Sequence, residues 1–242
     1  MTIAMIPARY AATRFPYKLM QLLGGMPVIS HTWKNTVATG LFDQVYVVTD
    51  HEIIYNEITS RGGKAIMSLA SHESGSDRIA EAARDLDADI ILNVQGDEPF
   101  VNKPSLAQLL EAFNDPTVRV ASLMRRFRDK ELVTDPNYVK VVVDSNKNSL
   151  LFSRSPVPFH RDTTLEAVYF EHIGVYAFRK ESLMQFTQWK ITPLEALEKI
   201  ECLRYLENGI PLRMIETGEE TVKIDVPEDL LKAEKFLKTY KP

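Results

Sequence analysis

The sequence predicts an α/β fold, in which helices flank a mostly parallel β-sheet and a β-rich segment is inserted. Two observations support this fold class. Short apolar runs alternate with amphipathic stretches over the first half of the chain, and this regularity changes after about residue 117. Apolar strands separated by helices are typical of βαβ units, whose parallel sheet is covered on both faces.

The predicted elements follow from these patterns. The candidate strands are Ile3–Ile6, Val45–Thr49, Ala65–Met67, Ile90–Val94, Val120–Met124 and Val139–Val143. The stretches with helical spacing are Val28–Thr39, Ile53–Ser60, Asp77–Arg84 and Ser105–Phe113. Residues 117–180 look strand-rich, with turn signals such as Asp135-Pro136. We therefore expect 1–242 to form a single domain that carries a β-rich insertion at about 117–180.

Two further helices are predicted near the C-terminus. Thr192 suits an N-cap, Pro193 the first helical position and Glu195 the reciprocal capping-box position. Gly209 and Pro211 then end this helix. The last helix is predicted to begin near Pro227, with Glu228 and Asp229 in its first turn, where carboxylates oppose the positive end of the helix.

Composition limits the class of protein. The 242 residues are 45% hydrophobic and 26% charged, which is an ordinary globular mixture. The net charge of −4 argues against nucleic acid as a partner. No apolar stretch approaches membrane-spanning length, the N-terminal apolar run is too short for a secretion signal, and the lone Cys202 excludes an internal disulfide. We therefore expect a cytoplasmic protein without membrane insertion.

The segment Ile6–Lys18 follows the first predicted strand and concentrates positive charge. Arg9, Arg14 and Lys18 occur in one short irregular stretch. In open α/β sheets ligands bind beyond the carboxyl ends of the strands, and a triphosphate needs such cations when pyrophosphate leaves. The glycine spacing of a Walker loop is absent. The alternative is an ordinary solvated basic loop.

Two acidic segments are candidate metal sites. Asp97 lies in Asn93–Pro99, a polar turn after the predicted strand Ile90–Val94, where carboxylate oxygens can hold Mg²⁺. Asp225 ends an apolar run just before the last predicted helix. The alternative for Asp97 is an Asx-turn, and the alternative for Asp225 is a helix cap.

These segments resemble one known family. The strings IPARYAATRFPYK at 6–18, HESGSDR at 72–78, NVQGDEP at 93–99 and VKIDVPEDL at 222–230 are similar to those of the sugar-nucleotide cytidylyltransferases. Among these, the similarity is greatest to the 3-deoxy-manno-octulosonate (Kdo) cytidylyltransferases, and it runs along nearly the whole chain. This chain departs from the family pattern at Ala12, where serine is common, at Tyr17, where glycine is usual, and at Cys202, where glutamine is usual.

The resemblance implies a Rossmann-like nucleotidyltransferase fold of the GT-A-like type and a homodimer formed through the 117–180 region. It implies transfer of CMP from CTP to Kdo for lipopolysaccharide biosynthesis, with Asp97 and Asp225 sharing Mg²⁺. The catalytic residues would be Arg9, Lys18, Asp97 and Asp225. The nucleotide-binding residues would be Ala8, Arg9, Arg14, Lys18, Ser74, Gly75, Ser76, Arg78 and Gln95, and Ser76 would also cap the helix that starts at Asp77.

The resemblance also implies the contacts to the acidic sugar. Arg154 lies in an FSR string and is a natural bidentate partner for a carboxylate. His172 and Tyr176 are four residues apart in a predicted strand, so both are expected to face one way. On a helical wheel Glu201 falls between Leu194 and Leu197, and a carboxylate in an apolar stripe needs a partner, which favours a ligand role.

Other functions remain compatible with the sequence. One is a cytidylyltransferase for a related acidic sugar, such as 8-amino-Kdo or a nonulosonate. A version that uses UTP and a sugar phosphate is disfavoured by the NVQGDEP and FSR strings. A third alternative is a non-catalytic nucleotide-binding module of the same fold, which predicts loss of a metal carboxylate or of the phosphate cations.

Overall fold

The computed structural model describes residues 1–11, 15–70, 72, 74–218 and 222–240. The chain divides into two compact units. The first comprises residues 1–106 together with the C-terminal segment from residue 220, and the second comprises residues 107–219. Within the described ranges, no helix combines the length and apolarity needed to cross a bilayer.

The helices and strands are numbered in chain order. The first part contains β1 (Thr2–Ala8), β2 (Leu22–Leu23), β3 (Met26–Pro27), α1 (Val28–Ala38), β4 (Gln44–Thr49), α2 (Glu52–Ser60), β5 (Lys64–Met67), α3 (Gly75–Ala83), β6 (Ile90–Asn93) and α4 (Lys103–Glu111). The rest contains β7 (Val120–Arg126), β8 (Lys140–Val143), β9 (Ser149–Ser153), β10 (Phe170–Arg179), α5 (Lys180–Phe186), α6 (Pro193–Glu198), α7 (Leu203–Glu207), β11 (Arg213–Glu216) and α8 (Pro227–Leu237). Short 3₁₀ helices lie at Lys18–Met20, Ala112–Asn114 and Lys130–Thr134.

The first unit contains parallel strands in the order β5, β4, β1, β6. Strand β1 lies inside this set, and its residues Ile3 to Ile6 are fully buried. Ala8 pairs with Thr49 of β4, and Met5 pairs with Asn93 of β6. Because the strands are parallel, the segments that follow β1 and β6 leave from the same edge, which is where ligands bind in such sheets.

Side-chain caps determine where two helices of this unit begin. Ser74 caps α3, since its Oγ accepts a hydrogen bond from the Asp77 amide at 3.1 Å. Ser76 was predicted to be this cap, but it lies inside the first turn of α3, so that prediction is wrong. At α8, Asp229 Oδ2 accepts hydrogen bonds from the amides of Asp225 and Val226, at 3.1 and 3.2 Å.

The second unit is mixed and richer in antiparallel strands. Strand β10 runs antiparallel to β7 and β8, β9 runs antiparallel to β8, and β11 runs parallel to β7. Its core contains Tyr205, which stacks on Phe186 with ring centroids 5.0 Å apart. The buried Arg204 pairs with Glu195, donating hydrogen bonds at 2.6 and 2.7 Å to its two carboxylate oxygens.

The predicted α/β class with a mixed, mostly parallel sheet and flanking helices is confirmed. The six candidate strands and four candidate helices predicted before residue 144 correspond to observed elements, with ends that differ by two residues or fewer. The single domain with an insertion at 117–180 stays a prediction. The strands β7 to β10 do lie within or partly within that range.

The helix predicted after Thr192 begins as expected but does not continue to Gly209. Glu195 accepts a hydrogen bond from the Thr192 amide at 3.3 Å. The helix then stops, because Lys199 adopts a left-handed conformation with φ of 54°, and α7 begins at Leu203. Glu201 therefore lies between two short helices. The predicted apolar stripe around it is wrong, since Leu197 is 81% exposed.

Candidate active site

A cavity of about 250 Å³ lies in the first unit, beside the segments that follow β1 and β6. Most of the residues predicted to bind the nucleotide or to act in catalysis line it. These are Arg9, Lys18, Ser74, Gly75, Arg78, Gln95, Asp97 and Asp225. The sequence patterns therefore identified one common site from segments that are far apart in the chain.

Lys18 is directed into this cavity by the backbone before it. Tyr17 adopts a left-handed conformation, with φ of 55° and ψ of 29°, and the 3₁₀ helix Lys18–Met20 follows. Lys18 Nζ donates hydrogen bonds to Asp97 Oδ2 and, at 3.0 Å, to Asp225 Oδ1. Tyr17 thus stands where the family usually has glycine, and its backbone is in the left-handed region that glycine adopts most readily.

Asp97 and Asp225 meet because their backbones are joined. The Ile224 amide donates a hydrogen bond to the Asp97 carbonyl at 3.0 Å. Asp225 ends an apolar run in the sequence, but this run does not form a strand, since residues 222–226 are irregular. A backbone bond to the turn after β6, rather than a second strand end, brings the two carboxylates to the same lysine.

The chemistry of the two carboxylates suits a hard divalent cation. The Asp97 side chain is only 12% exposed, and its Oδ1 atom is buried with no hydrogen-bond partner in the described part of the chain. Mg²⁺ prefers oxygen ligands and is often held by one or two carboxylates together with substrate phosphates. Among the described residues, no group of three or more acidic, histidine or cysteine side chains is placed to hold a metal. The pair thus fits Mg²⁺ shared with phosphate.

Two glycines allow the backbone to pack closely at this cavity. A Cβ atom on Gly96 would lie 2.9 Å from the Pro7 carbonyl oxygen, and one on Gly75 would lie 3.1 Å from Pro7 Cγ. Thr32 Oγ1 also donates a hydrogen bond to the Gly96 carbonyl at 2.9 Å. The turn that carries Asp97 is therefore fixed against β1 by contacts that only glycine permits.

The start of α3 forms another wall of the cavity. Arg78 is almost fully buried and donates a hydrogen bond to Asp50 Oδ2 at 3.0 Å, while its Nη1 atom has no partner among the described residues. Asp50 Oδ1 in turn accepts a hydrogen bond from the Tyr10 amide. Burial raises the pKa of Glu81, but hydrogen bonds from His72, the Leu69 amide and Ser68 outweigh it and lower that pKa overall.

Lys223 also lines the cavity, and sequence reasoning did not single it out. Its Nζ lies 3.3 Å from Asp225 Oδ2 and 4.0 Å from Asp97 Oδ2. The charge of Asp97, with smaller contributions from Asp225 and Glu98, raises the pKa of Lys223 in spite of opposing desolvation. The one sequence feature that could have identified Lys223 is its position two residues before Asp225, a candidate metal ligand.

Two predicted nucleotide residues, Ala8 and Ser76, do not line the cavity, and a third lies outside the described residues. Ala8 is buried within β1, and Ser76 is buried in the first turn of α3. Arg14 lies outside the described residues, as does the Ala12 departure. Among the described residues, the lysine and arginine side chains that line the cavity are Arg9, Lys18, Arg78 and Lys223.

The predicted sugar contacts belong to the second unit. The rings of His172 and Tyr176 are 5.3 Å apart, although β10 has an irregularity between Ile173 and Tyr176. His172 Nε2 also forms a hydrogen bond with Ser122 Oγ at 2.9 Å. The prediction that these two side chains lie on one side agrees with this contact, and their role in sugar binding stays a prediction.

Arg154 is already engaged by the backbone. Its Nε and Nη1 atoms each donate at 2.7 Å, to the carbonyls of Glu198 and Pro136, and Nη2 donates at 3.4 Å to that of Lys199. Its predicted bidentate contact with a carboxylate stays a prediction. Cys202 is buried, and burial raises the pKa of its thiol well above the ordinary value, which disfavours a nucleophilic role.

Comparisons with known proteins agree on one family. The model of the cytidylyltransferase family matches residues 3–224. A 3-deoxy-manno-octulosonate cytidylyltransferase from Christiangramia forsetii is 51% identical, over 97% of this chain and 96% of that protein. One of the same name from Flavobacterium johnsoniae is 53% identical, over 98% of each chain.

Solved structures give the same result. The structure of a CMP:2-keto-3-deoxy-manno-octonic acid synthetase complexed with CTP superposes with a TM-score of 0.93, at 34% identity and over 98% of each chain. A 4-diphosphocytidyl-2C-methyl-D-erythritol synthase from Anaerococcus prevotii shares the fold, with a TM-score of 0.65, 16% identity and 98% coverage of each chain.

The fold and the site together define a nucleotidyltransferase. The match spans almost the whole chain, and the relatives more than half identical to it carry one name. The chain belongs to the cytidylyltransferase family, within the branch of the 3-deoxy-manno-octulosonate cytidylyltransferases.

Proposed function

We propose that this protein transfers CMP from CTP to the anomeric hydroxyl of Kdo, and so activates the sugar for lipopolysaccharide biosynthesis. The convergence of Asp97 and Asp225 on Lys18, inside a cavity that Arg9 also lines, is the observation that carries the proposal. The names of the similar proteins support both the cytidylyl donor and the Kdo acceptor.

The reaction is an in-line displacement at phosphorus. The anomeric oxygen of the sugar forms a bond to the α-phosphorus of CTP, the bond from that phosphorus to the bridging oxygen breaks, and the electron pair leaves with pyrophosphate. The hydroxyl proton passes to solvent. Negative charge grows on the departing phosphates, so Arg9 and Lys18 stabilise the transition state more than the ground state.

Asp97 and Asp225 are the residues that would hold Mg²⁺. When bound, the ion neutralises phosphate charge and orients the triphosphate. The buried, unpartnered Oδ1 atom of Asp97 supports this assignment.

The start of α3 and the turn after β6 bind the nucleoside end of CTP. Ser74, Gly75, Arg78 and Gln95 all line the cavity there. Gly75 allows the backbone to approach a base or ribose closely. The buried Arg78 offers a donor to the ligand, since its Nη1 atom has no partner among the described residues.

The second unit supplies the acceptor-binding residues and the dimer interface. His172 and Tyr176, which contact each other, bind sugar hydroxyls or the sugar carboxylate. Arg154 and Glu201 complete the predicted set. The exposed apolar side chains Leu150 and Phe159 lie in the 117–180 region and support a homodimer formed there. The single, buried Cys202 suits a reducing compartment, so the protein acts in the cytoplasm.

The test is release of pyrophosphate from CTP and Kdo, with and without Mg²⁺. The wild-type protein should release pyrophosphate only when all three are present. Asp97→Asn should lower turnover by at least ~10²-fold, as expected for removal of a group that stabilises charge at the reaction centre. Asp87→Asn, which changes an exposed carboxylate in the same unit, should leave turnover unchanged.

Each other outcome has a defined meaning. Asp97→Asn turnover within a few-fold of wild type would remove Asp97 from the mechanism. Faster reaction with 8-amino-Kdo or a nonulosonate than with Kdo would reassign the sugar. CTP binding measured by calorimetry, without turnover of any acidic sugar, would indicate a non-catalytic nucleotide-binding module.

A further inference from the structure

Lys223 is the feature of the cavity that the reaction described so far does not use. It lies in the irregular segment before α8, next to Ile224, whose amide is bonded to the Asp97 carbonyl. Its Nζ is 3.3 Å from Asp225 Oδ2, and its side chain lines the same cavity as Arg9 and Lys18. The hydrogen bond between the Ile224 amide and the Asp97 carbonyl therefore fixes the position of the neighbouring Lys223 backbone.

The two lysines at the carboxylates differ in their freedom to move. Lys18 is 16% exposed and contacts both carboxylates, whereas Lys223 is 48% exposed, with its Nζ 3.3 Å from Asp225 Oδ2 and 4.0 Å from Asp97 Oδ2. Lys18 therefore links the two carboxylates that the Ile224–Asp97 backbone bond brings together. The flexible stem of Lys223 lets its ammonium group turn into the cavity without breaking that arrangement.

We propose that Lys223 is a further catalytic residue, which binds the β- and γ-phosphates of CTP and stabilises the charge on pyrophosphate as it leaves. The inference rests on the proposed cytidylyl transfer. A triphosphate carries more negative charge than Arg9 and Lys18 together can balance. Lys223 places a third cation beside Asp97 and Asp225, the residues that would hold Mg²⁺ next to the phosphates.

The test separates phosphate binding from a structural role. Lys223→Met removes the charge but keeps an apolar stem, Lys223→Arg keeps the charge, and Lys223→Gln is a second uncharged variant if the first does not fold. Lys64→Gln is the matched control, because Lys64 is an exposed lysine of β5 that contacts Gln44 and does not line the cavity. Binding of inorganic pyrophosphate and of CMP is measured by calorimetry with Mg²⁺, together with kcat/KM for CTP.

Lys223→Met should weaken pyrophosphate binding by about tenfold or more, as expected for loss of a charge-assisted hydrogen bond. It should lower kcat/KM by about 10²-fold and leave CMP binding unchanged, because CMP lacks the phosphates in question. Lys223→Arg should keep pyrophosphate affinity within a few-fold of wild type, and Lys64→Gln should behave as wild type.

Two results would overturn the inference. Unchanged pyrophosphate affinity in Lys223→Met or Lys223→Gln would show that the lysine does not reach the phosphates. Equal losses of CMP and pyrophosphate affinity would show that it only maintains the shape of the cavity. Failure of the wild-type protein to turn over CTP with any acidic sugar is a different result, and it would count against the proposed function itself.

Discussion

At the scale of single residues, Gly96 determines where Asp97 can lie. Any side chain at this position would meet the Pro7 carbonyl oxygen at 2.9 Å and the side chains of Ile29 and Leu19 at 3.3 Å. The nearest atom belongs to the backbone of β1, which cannot rotate away. A substitution at Gly96 must therefore displace the turn that carries the Asp97 carboxylate.

We expect Gly96→Ala to lower the free energy of unfolding by about 1–3 kcal/mol, which is typical of overpacking in a well-packed interior. It should also lower kcat, because Asp97 moves relative to Lys18 and Asp225. Denaturant unfolding and pyrophosphate release measure the two effects. Gly218→Ala is the control, since a Cβ atom there meets no described residue within 4 Å. Wild-type stability and activity in Gly96→Ala would contradict the close approach.

Individual residues also show how far sequence reasoning reaches. Arg9, Lys18, Asp97 and Asp225 were identified because each lies in a string typical of the family, and the cavity contains all four. Lys223 was missed, because its position two residues before Asp225 does not by itself distinguish a lysine that approaches two carboxylates from one on the surface. That distinction depends on the Ile224–Asp97 backbone bond, which joins segments far apart in the sequence.

At the scale of elements, aromatic rings contact one another where the chain leaves β1 and where it enters the first 3₁₀ helix. Tyr10 stacks on His51 with ring centroids 3.9 Å apart and contacts Tyr17 at 4.7 Å. Tyr17 is left-handed, a conformation that is unfavourable for residues with a Cβ atom. The ring contact offsets part of this cost, so a tyrosine is tolerated where the family usually has glycine.

The stabilisation from the ring contact of Tyr17 and the cost of its left-handed backbone can be separated with a pair of variants. Tyr17→Ala loses the ring and keeps the left-handed cost, whereas Tyr17→Gly loses the ring and relieves that cost. We expect Tyr17→Ala to be less stable than Tyr17→Gly by about 1 kcal/mol in urea unfolding. Equal stability of the two variants, or a more stable alanine variant, would show that the backbone at residue 17 is not left-handed in solution.

The elements that sequence predicted best are the buried ones. Strands β1 and β6 are continuous apolar runs, and their positions agree closely with the structure. The helix after Thr192 was predicted too long, because a left-handed Lys199 interrupts it and no glycine marks the break. The apolar run before Asp225 is irregular in the structure, and its backbone bonds to a turn rather than to a strand. Such local exceptions arise from tertiary contacts, which the hydrophobic periodicity of the sequence does not reveal.

At the scale of the whole molecule, large exposed apolar side chains suggest how copies of the chain associate. In the second unit Leu150 is 60% exposed, Phe159 is 85% exposed and Leu165 is 66% exposed. All three fall in the 117–180 region that was predicted to form the dimer. Apolar side chains of this size favour burial, and pairing with the same surface of a second copy gives a closed dimer.

We therefore expect a homodimer in solution, which analytical ultracentrifugation can measure over a range of protein concentrations. Phe159→Glu places a charge in the apolar interface and should raise the dimer dissociation constant by about 30-fold or more, as for loss of an interface hot spot. Leu69→Glu makes the same change at an apolar side chain that is 92% exposed in the first unit, and it should leave the dimer intact. A wild-type protein that sediments as a monomer at micromolar concentration would contradict the dimer. A dimer that Leu69→Glu disrupts and Phe159→Glu does not would move the interface to the first unit.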